Sequence, residues 1–595
     1  MKTERGSQAS GLGTPLGLEA LKSIHIAQQL AAVVLLNGSN INTQSLKNSQ
    51  MVSSPATVGT YHILDIGILM ENMAFATSYI DSILKSTSSL FRIEIVLLFI
   101  VATFLLTNYA SSKFQRRLPP GPRPLFLIKN LHQMPRSYPW RALQKWHEIY
   151  GPIISLQYGQ RVMISIGSYK VAHDLLEKRK NIYDSRPLFV VSGKYMSKGL
   201  NTALIPSGAQ WKTHRRLTSN FLSDRQIRSY REMQGVESKQ LLYNLLRSED
   251  FSGEFRRFSL SIIMTLAYGK RVESRLNPEI EELTRHIKNI ATAMTKTTSG
   301  LVEAFPILDR LLPRWAAPWR RMGDMSFEHT SKFYMQHAQS STPFSWARQI
   351  SDFKEAQGLS PVALSCIIGV FIDGGMETTT SVLEFFTVAS VLHPNSVGKA
   401  QEELDSVVGQ NRLPSFDDTP NLPFVNAFIK EVLRWRPVLP MGLPHSPRED
   451  DEYLGYHIPK GALVVENQWA INLDNERFQD SHKFMPERWL QDPDQQISTF
   501  GFGRRTCPGK QIAQNSMFIA IARILWAYNI SHYHINGKKV PIDPLDTKQT
   551  LGAGPSPFKA SFSIRSPAHQ RIVEQEWEST MTDVNVTMGQ SIHLK

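Results

Sequence analysis

Cysteine is almost missing from this chain: 595 residues contain two, Cys366 and Cys507. Two cysteines so far apart argue against a disulfide framework and for a reducing compartment around the folded part. Also missing are long lysine–arginine runs, zinc-ligand spacings and aromatic–glycine RNA motifs. A formal net charge of +14 permits nucleic acid, a membrane surface or an acidic protein as partner. Without those motifs, nucleic acid is the weakest of the three. Apolar residues are not scarce: 42% apolar and 20% charged is ordinary for a folded chain. The length allows two or three average domains, or one large single-core domain with extensions.

The chemistry gathers around one of the two sulfurs. Cys507 lies in Phe500-Gly-Phe-Gly-Arg-Arg-Thr-Cys-Pro-Gly509. A cysteine acts as nucleophile or metal ligand only as the thiolate, which nearby positive charge and a helix N-terminus favour. Arg504 and Arg505 are expected to supply the charge. The helix is predicted over Gln511–Tyr528, where Ala513, Met517, Ile521, Leu525 and Tyr528 recur at helical spacing. Three glycines let the backbone bend and approach something large and flat. Taken alone, the same stretch also reads as a buried structural cysteine in a turn.

One segment has the character of a membrane anchor. Ile93–Tyr109 is apolar apart from Glu94, Thr103, Thr107 and Asn108, at the short end of what spans a bilayer. Lys113, Arg116, Arg117 and Arg123 follow it, so the positive-inside bias places the C-terminal part in the cytosol. Leu118-Pro-Pro-Gly-Pro-Arg-Pro124 cannot continue a helix and reads as a stiff hinge. The expected organisation is an extension of unassigned role over 1–90, the anchor over 91–112 and the basic, proline-rich hinge over 113–124. A folded domain over 125–565 and a tail over 566–595 complete it.

Three further constellations lie inside that domain. Gly374-Gly-Met-Glu-Thr-Thr379 interrupts a long apolar helix that Ser360 and Pro361 start and His393-Pro394 ends. Two adjacent glycines cost roughly 1 kcal/mol each against alanine, and they open a groove beside Glu377 and Thr378. Thr378 either turns its hydroxyl to that groove or bonds a carbonyl four residues back. Glu431 and Arg434 stand three apart on a helix, a spacing that is usually an exposed pair of little worth. Phe484-Met-Pro-Glu-Arg-Trp489 follows later, and Trp211 and Arg215 lie one helical turn apart.

In this order the stretches resemble the cytochrome P-450 family over about residues 118–565. The resemblance implies a mainly α fold with smaller β-sheets, one large haem domain behind an N-terminal transmembrane helix. It implies Cys507 as the axial ligand of haem iron, with a thiolate whose electron density favours O–O cleavage. Glu377 and Thr378 take the positions of an acid–alcohol pair for proton delivery. Trp211, Arg215, His445 (after Pro444) and Arg505 take those of haem-propionate partners, and Glu431, Arg434 and Arg488 those of a fold lock. Tyr183-Asp-Ser-Arg-Pro187 and Gly455-Tyr-His-Ile-Pro-Lys-Gly461 look most like the filamentous-fungal branch devoted to secondary metabolism.

No flavin or dinucleotide-binding segment is visible, so the implied electron donor is an NADPH-dependent flavoprotein reductase docking on Lys212, Arg216 and Lys510. The implied location is the endoplasmic reticulum membrane, single-pass, with the haem domain facing the cytosol. Val190–Leu204, Val370, Phe371, Val438–Leu443 and the turn near Leu551 are expected to surround a lipophilic small-molecule substrate. Two alternatives stand beside this monooxygenase: a reductase-independent peroxide isomerase or dehydratase of the same fold, and a non-catalytic haem-binding membrane protein. Glu377 and Thr378 together count against the first, and joint retention of cysteine, acid, alcohol and lock positions counts against the second.

Overall fold

The computed structural model describes residues 118–125, 128–295, 297–548 and 552–590. The extension over 1–90, the anchor over 91–112 and the basic residues 113–117 lie outside them. At its start the proline-rich stretch is tied to the first strand rather than free. The Ser155 backbone N–H donates to the Pro120 carbonyl at 2.9 Å, and the Ser155 hydroxyl donates to the Pro119 carbonyl at 2.6 Å.

Helix α1 (Pro139–Tyr150) precedes strands β1 (Ile153–Tyr158) and β2 (Arg161–Ile166). Helices α2 (Ala209–Asn220), α3 (Arg231–Leu245), α4 (Phe251–Tyr268), α5 (Pro278–Thr295) and α6 (Pro318–Gln339) follow. The long α7 (Pro361–Leu392) and α8 (Pro423–Trp435) come next, then β3 (Leu463–Glu466) and α9 (Lys510–Ala527). Strands β4 (Tyr528–His532) and β5 (Ala560–Ile564) and helix α10 (Pro567–Gln590) close the described chain. The described fold is therefore mainly helical with small sheets.

β1 pairs antiparallel with β2 (Ile153 opposite Ile166), and β2 pairs parallel with β3 (Ile166 opposite Glu466). Period-two alternation sends Ile154, Leu156 and Met163 into one apolar cluster with Leu143 of α1, and Ile153, Ile164 and Ile166 into another with Leu175 and Tyr183. This register delivers Glu466 and the following turn to the middle of the molecule.

α7 is the axis of the larger core. It runs 32 residues, about 48 Å at a rise of roughly 1.5 Å per residue. The Ser360 hydroxyl accepts from the Ala363 N–H at 3.2 Å, Pro361 holds the first turn, and the helix stops at His393 before Pro394. It packs against α4, α6, α8 and α9. Phe385, Phe386 and Val388 are fully enclosed, and each such large apolar side chain stabilises the fold by about 1.5–3 kcal/mol. By length and composition α7 could cross a membrane, yet half of its most apolar stretch is buried inside the protein. One acid within it, Glu384, is buried and held by Lys548 at 3.0 Å and by the Ser252 hydroxyl.

Two expectations change at the C-terminal end. Tyr528, predicted as the last helical residue, is instead the first of β4, where its hydroxyl donates to the Leu242 carbonyl at 2.6 Å. Within the segment expected as a tail, α10 packs on α3: Val573 and Trp577 are buried, and Glu576 pairs with Lys239 at 2.7 Å.

Candidate active site

α2, α7, the 438–445 segment, the end of β3 and the Cys507 loop converge on one cavity of about 330 Å³. That is within the usual size of a ligand site. The Cys507 thiol and the Thr378 side chain both line it, as do Trp211, Arg215, His445 and Arg505. Glu377 does not. Successive helical residues are turned by about 100°, so Glu377 leaves the face that carries Gly374 and Thr378. It is half-buried beside that face. Of the acid–alcohol pair, Thr378 alone lines the cavity, and its hydroxyl takes the second of its two expected options, a bond to the carbonyl four residues back.

The cysteine loop is held by its backbone. The Cys507 N–H donates to the Phe500 carbonyl at 2.9 Å, and the Gly503 N–H donates to Glu177 at 2.6 Å. Gly503 has φ +59°, and a Cβ there would lie 2.2 Å from the Leu176 carbonyl oxygen, so only glycine fits. Cys507 is exposed and lines the cavity. Burial pushes the thiol up, and the Gly509 N–H, the charges of Arg215 and Lys510 and the Lys510 N–H pull the other way.

That differs from the sequence expectation that Arg504 and Arg505 supply the charge. Arg504 is spent on Asp184 at 3.0 Å. Arg505 donates to the carbonyls of Asp184 (2.6 Å) and Ile205 (3.0 Å), with its guanidinium 4.2 Å from the centre of the Trp211 ring.

The polar end of the cavity carries more positive charge than its protein partners neutralise. Burial and the nearby Arg186 lower the Arg505 pKa to about 9, with Asp184 opposing. Burial likewise lowers that of Arg215, which Cys507 opposes. Sequence reasoning missed Arg186, which lines the same end and donates to the carbonyls of Ala203 (3.1 Å) and Pro444 (2.9 Å). Its signal was present in Tyr183-Asp-Ser-Arg-Pro187, read there only as family wording. Burial brings Arg186 down to about 10. Crowded, desolvated guanidinium groups of this kind favour an anionic ligand.

His445 is held by its Nδ1–H, which donates to the Tyr183 carbonyl at 2.9 Å. Burial first, then Arg186, lowers its pKa to about 3. The neutral ring therefore presents Nε2 as an acceptor, and it donates to a carboxylate only after gaining a proton.

Glu466 was also missed. It lines the cavity, is 3% exposed, and leaves Oε2 without a hydrogen bond. Burial raises its pKa to about 7, against a bond from Gln468 and the Arg186 charge. The folded state thus holds this proton more tightly than the unfolded chain does. The resulting stabilisation is complete below the ordinary carboxylate range and is lost as pH rises through about 7. Glu466→Gln is expected to raise the melting temperature at about pH 8 relative to the parent, by an effect on the order of a few kcal/mol, and to change it little at about pH 5. An equal fall in melting temperature at both pH values would contradict this.

Beneath the cavity, Glu431 on α8 is fully buried. Arg434 donates to it twice, at 2.8 and 2.7 Å, Arg488 at 3.3 Å, the Trp489 indole at 2.9 Å and the Met485 N–H at 2.8 Å. Arg434 also donates to the carbonyls of Asn472 (2.9 Å), Ser481 (2.6 Å) and Lys483 (3.1 Å). The pair that spacing alone reads as exposed is the centre of a closed network, and it fixes the segment leading to the Cys507 loop.

A single thiol beside guanidinium groups at the edge of an otherwise apolar cavity suits an iron porphyrin with two carboxylates. The profile of the cytochrome P450 family matches residues 119–562, and the chain belongs to that family. It is an enzyme of the cytochrome P450 monooxygenase class, with haem-thiolate iron as its cofactor. It is 40% identical to cytochrome P450 monooxygenase FrzL of Cladobotryum sp, over 82% of this chain and 95% of that one. To cytochrome P450 monooxygenase aneD of Aspergillus aculeatus it is 41% identical, over 82% and 96%. To cytochrome P450 monooxygenase peniB of Penicillium patulum it is 42% identical, over 79% and 89%.

Proposed function

We propose that this monooxygenase hydroxylates or otherwise oxidises a lipophilic small molecule in fungal secondary metabolism, with electrons from NADPH through a flavoprotein reductase. The observation that carries the reading is one cavity in which Cys507 and Thr378 meet an apolar wall of Ile263, Ile367, Val370, Phe371 and Leu439. That wall has no charged group to hold a polar substrate in place. A terpenoid or polyketide-derived intermediate fits it.

Bound through Cys507, haem supplies the oxygen chemistry; the protein supplies orientation, dryness and protons. Cys507 is the ligand. Arg186, Arg215 and Arg505, with Trp211 and His445, hold the carboxylate edge. Thr378 donates to the Gly374 carbonyl at 2.6 Å and lines the cavity; in proton delivery its hydroxyl turns from that carbonyl to the cavity, gives up its own proton there and takes one from the Glu377 side. Exposed Lys212, Arg216 and Lys510 give the cysteine side a basic surface suited to an acidic reductase. The apolar stretch 93–109 with the basic residues after it supports a single-pass anchor in the endoplasmic reticulum membrane, haem domain in the cytosol.

Membranes containing this enzyme and a reductase, incubated with candidate pathway intermediates, are expected to return a product heavier by one oxygen only when NADPH is present. Turnover without reductase or NADPH would overturn the reading in favour of peroxide isomerisation. Thr378→Ala is expected to keep consuming NADPH while product falls several-fold and hydrogen peroxide accumulates. Fully coupled product formation in that variant would remove Thr378 from proton delivery.

A further inference from the structure

If Glu377 passes protons to Thr378, those protons must arrive from the side of α7 that faces away from the cavity. That side carries another acid. Asp373 stands four residues before Glu377, so the two lie on one helical face, one turn apart. Asp373 is not part of the acid–alcohol pair, and it ends a polar chain that runs through two other helices.

The Tyr334 hydroxyl of α6 donates to Asp373 Oδ2 at 2.7 Å. Gly369, a turn earlier on α7, makes the room: a Cβ there would lie 2.3 Å from the Tyr334 ring. His286 of α5 brings Nε2 to 3.9 Å from Asp373 Oδ1, and Oδ1 is buried with no hydrogen bond. The Thr330 hydroxyl spends its proton on the Ser326 carbonyl at 2.8 Å, so its oxygen accepts from whichever His286 nitrogen carries the proton, Nδ1 at 3.1 Å or Nε2 at 3.3 Å. With the proton on Nδ1, Nε2 is an acceptor that lies beyond direct hydrogen-bond reach of Oδ1, a gap that one bridging water closes for proton exchange. Beyond His286, the ring of the exposed His329 stacks at 6.3 Å. The succession from the surface inward is His329, His286, Asp373, Glu377, Thr378.

We propose that Asp373, held by Tyr334 and His286, is a proton-relay station that recharges Glu377 from solvent. It acts through Glu377 and is a positioning residue, and the proposal rests on the reading of Glu377 and Thr378 as the proton-delivery pair. Each transfer moves one proton and no electrons. The Asp373 carboxyl gives its proton to the Glu377 carboxylate, directly or through one water, and takes another from the His286 side.

The electrostatics suit a group that can both hold and release a proton. Burial raises the Asp373 pKa to about 7, and the bond from Tyr334 opposes. His286 is lowered to about 4 by burial and by His329, so it serves as a neutral carrier. The other titratable groups acting on this cluster, Tyr268 of α4 and Cys366 of α7, are both raised, chiefly by burial, and stay neutral. Lys270 is turned to His337, 3.4 Å away.

The test uses haem-loaded enzyme in three variants, Asp373→Asn, Asp373→Glu and Tyr334→Phe, each checked by its reduced carbon monoxide absorption. Infrared difference spectra of the parent should contain a protonated carboxyl band titrating near neutral pH and missing from Asp373→Asn. In Tyr334→Phe the midpoint should move to higher pH, because the bond stabilising the carboxylate is gone. Asp373→Asn should lose coupling of NADPH to product several-fold with unchanged substrate affinity and a larger solvent deuterium effect on kcat; Asp373→Glu should restore part of it.

A lower melting temperature with coupling intact would overturn the relay and leave Asp373 structural, as would absence of the titrating band. Uncoupling in Glu377→Gln and Thr378→Ala but not in Asp373→Asn would reject the relay alone. Full coupling in all of these variants would reject the proton-delivery pair and the relay with it.

Discussion

Replacing Cys507 with alanine is expected to leave a folded chain without thiolate-type absorption in the reduced carbon monoxide state and without any haem-dependent turnover. The loop survives this change because its own bonds are main-chain ones. The residue-507 N–H still reaches the Phe500 carbonyl, and Gly503 still packs under the Leu176 carbonyl. What is lost is the sulfur, and nothing else can replace it. Cys366 is buried on α7, does not line the cavity, and has its thiol pushed to about 12 by burial and by Asp373. The guanidinium groups at the carboxylate edge remain, so the variant can retain some haem with a different axial partner. Its spectrum would then resemble that of a histidine or water ligand. Turnover at the parent rate in Cys507→Ala would remove the sulfur from the mechanism.

The second large effect is expected at Glu431. Glu431→Gln keeps the volume and removes the charge at the centre of five hydrogen bonds. Arg434, with no exposed side-chain surface, is then a buried cation with carbonyls as its only oxygen partners. Breaking one partner of such a network costs about 3–5 kcal/mol, a large fraction of the roughly 5–15 kcal/mol that holds a typical domain together. The expected outcome is a melting temperature lowered by many degrees and little or no haem-loaded protein at growth temperature. Arg434→Met tests the same network from the other side and should be at least as damaging, because Glu431 then keeps its charge with only Arg488 as ionic partner. A Glu431→Gln enzyme of unchanged stability would show that the segment before the Cys507 loop is fixed by its apolar packing alone.

The sequence makes some of this site readable and hides the rest for definite reasons. The Cys507 loop is readable because its constraints are local: glycines, a proline, arginines and one cysteine within ten residues. The ends of α7 are readable for the same reason, since Ser360-Pro361 and His393-Pro394 act within a turn. The Glu431–Arg434 spacing is identical on a wet surface and in a core, and only the approach of Arg488 and Trp489 distinguishes them. Arg504 and Arg505 look equivalent in sequence, but Asp184, 320 residues before Arg504, gives them different tasks. Asp373 is concealed more deeply, because its partners Tyr334 and His286 come from two other helices. The helical period that continues through Tyr528 shows the converse error: apolar spacing persists after the backbone has become a strand.

The acids on α7 have a consequence for how the protein is made. A segment of this length and apolar character leaves the ribosome before α8 and α9 exist to cover it. At that moment it competes to enter any bilayer close by. Asp373, Glu377 and Glu384 lie along its central and later turns. An acid such as aspartate at the middle of an inserting helix costs about 2.5–3.5 kcal/mol on insertion scales. Together these side chains disfavour threading the segment through lipid, and they favour waiting for its protein partners. Neutralising substitutions along α7 would therefore be read at two stages, in the finished enzyme and in the topology of the nascent chain.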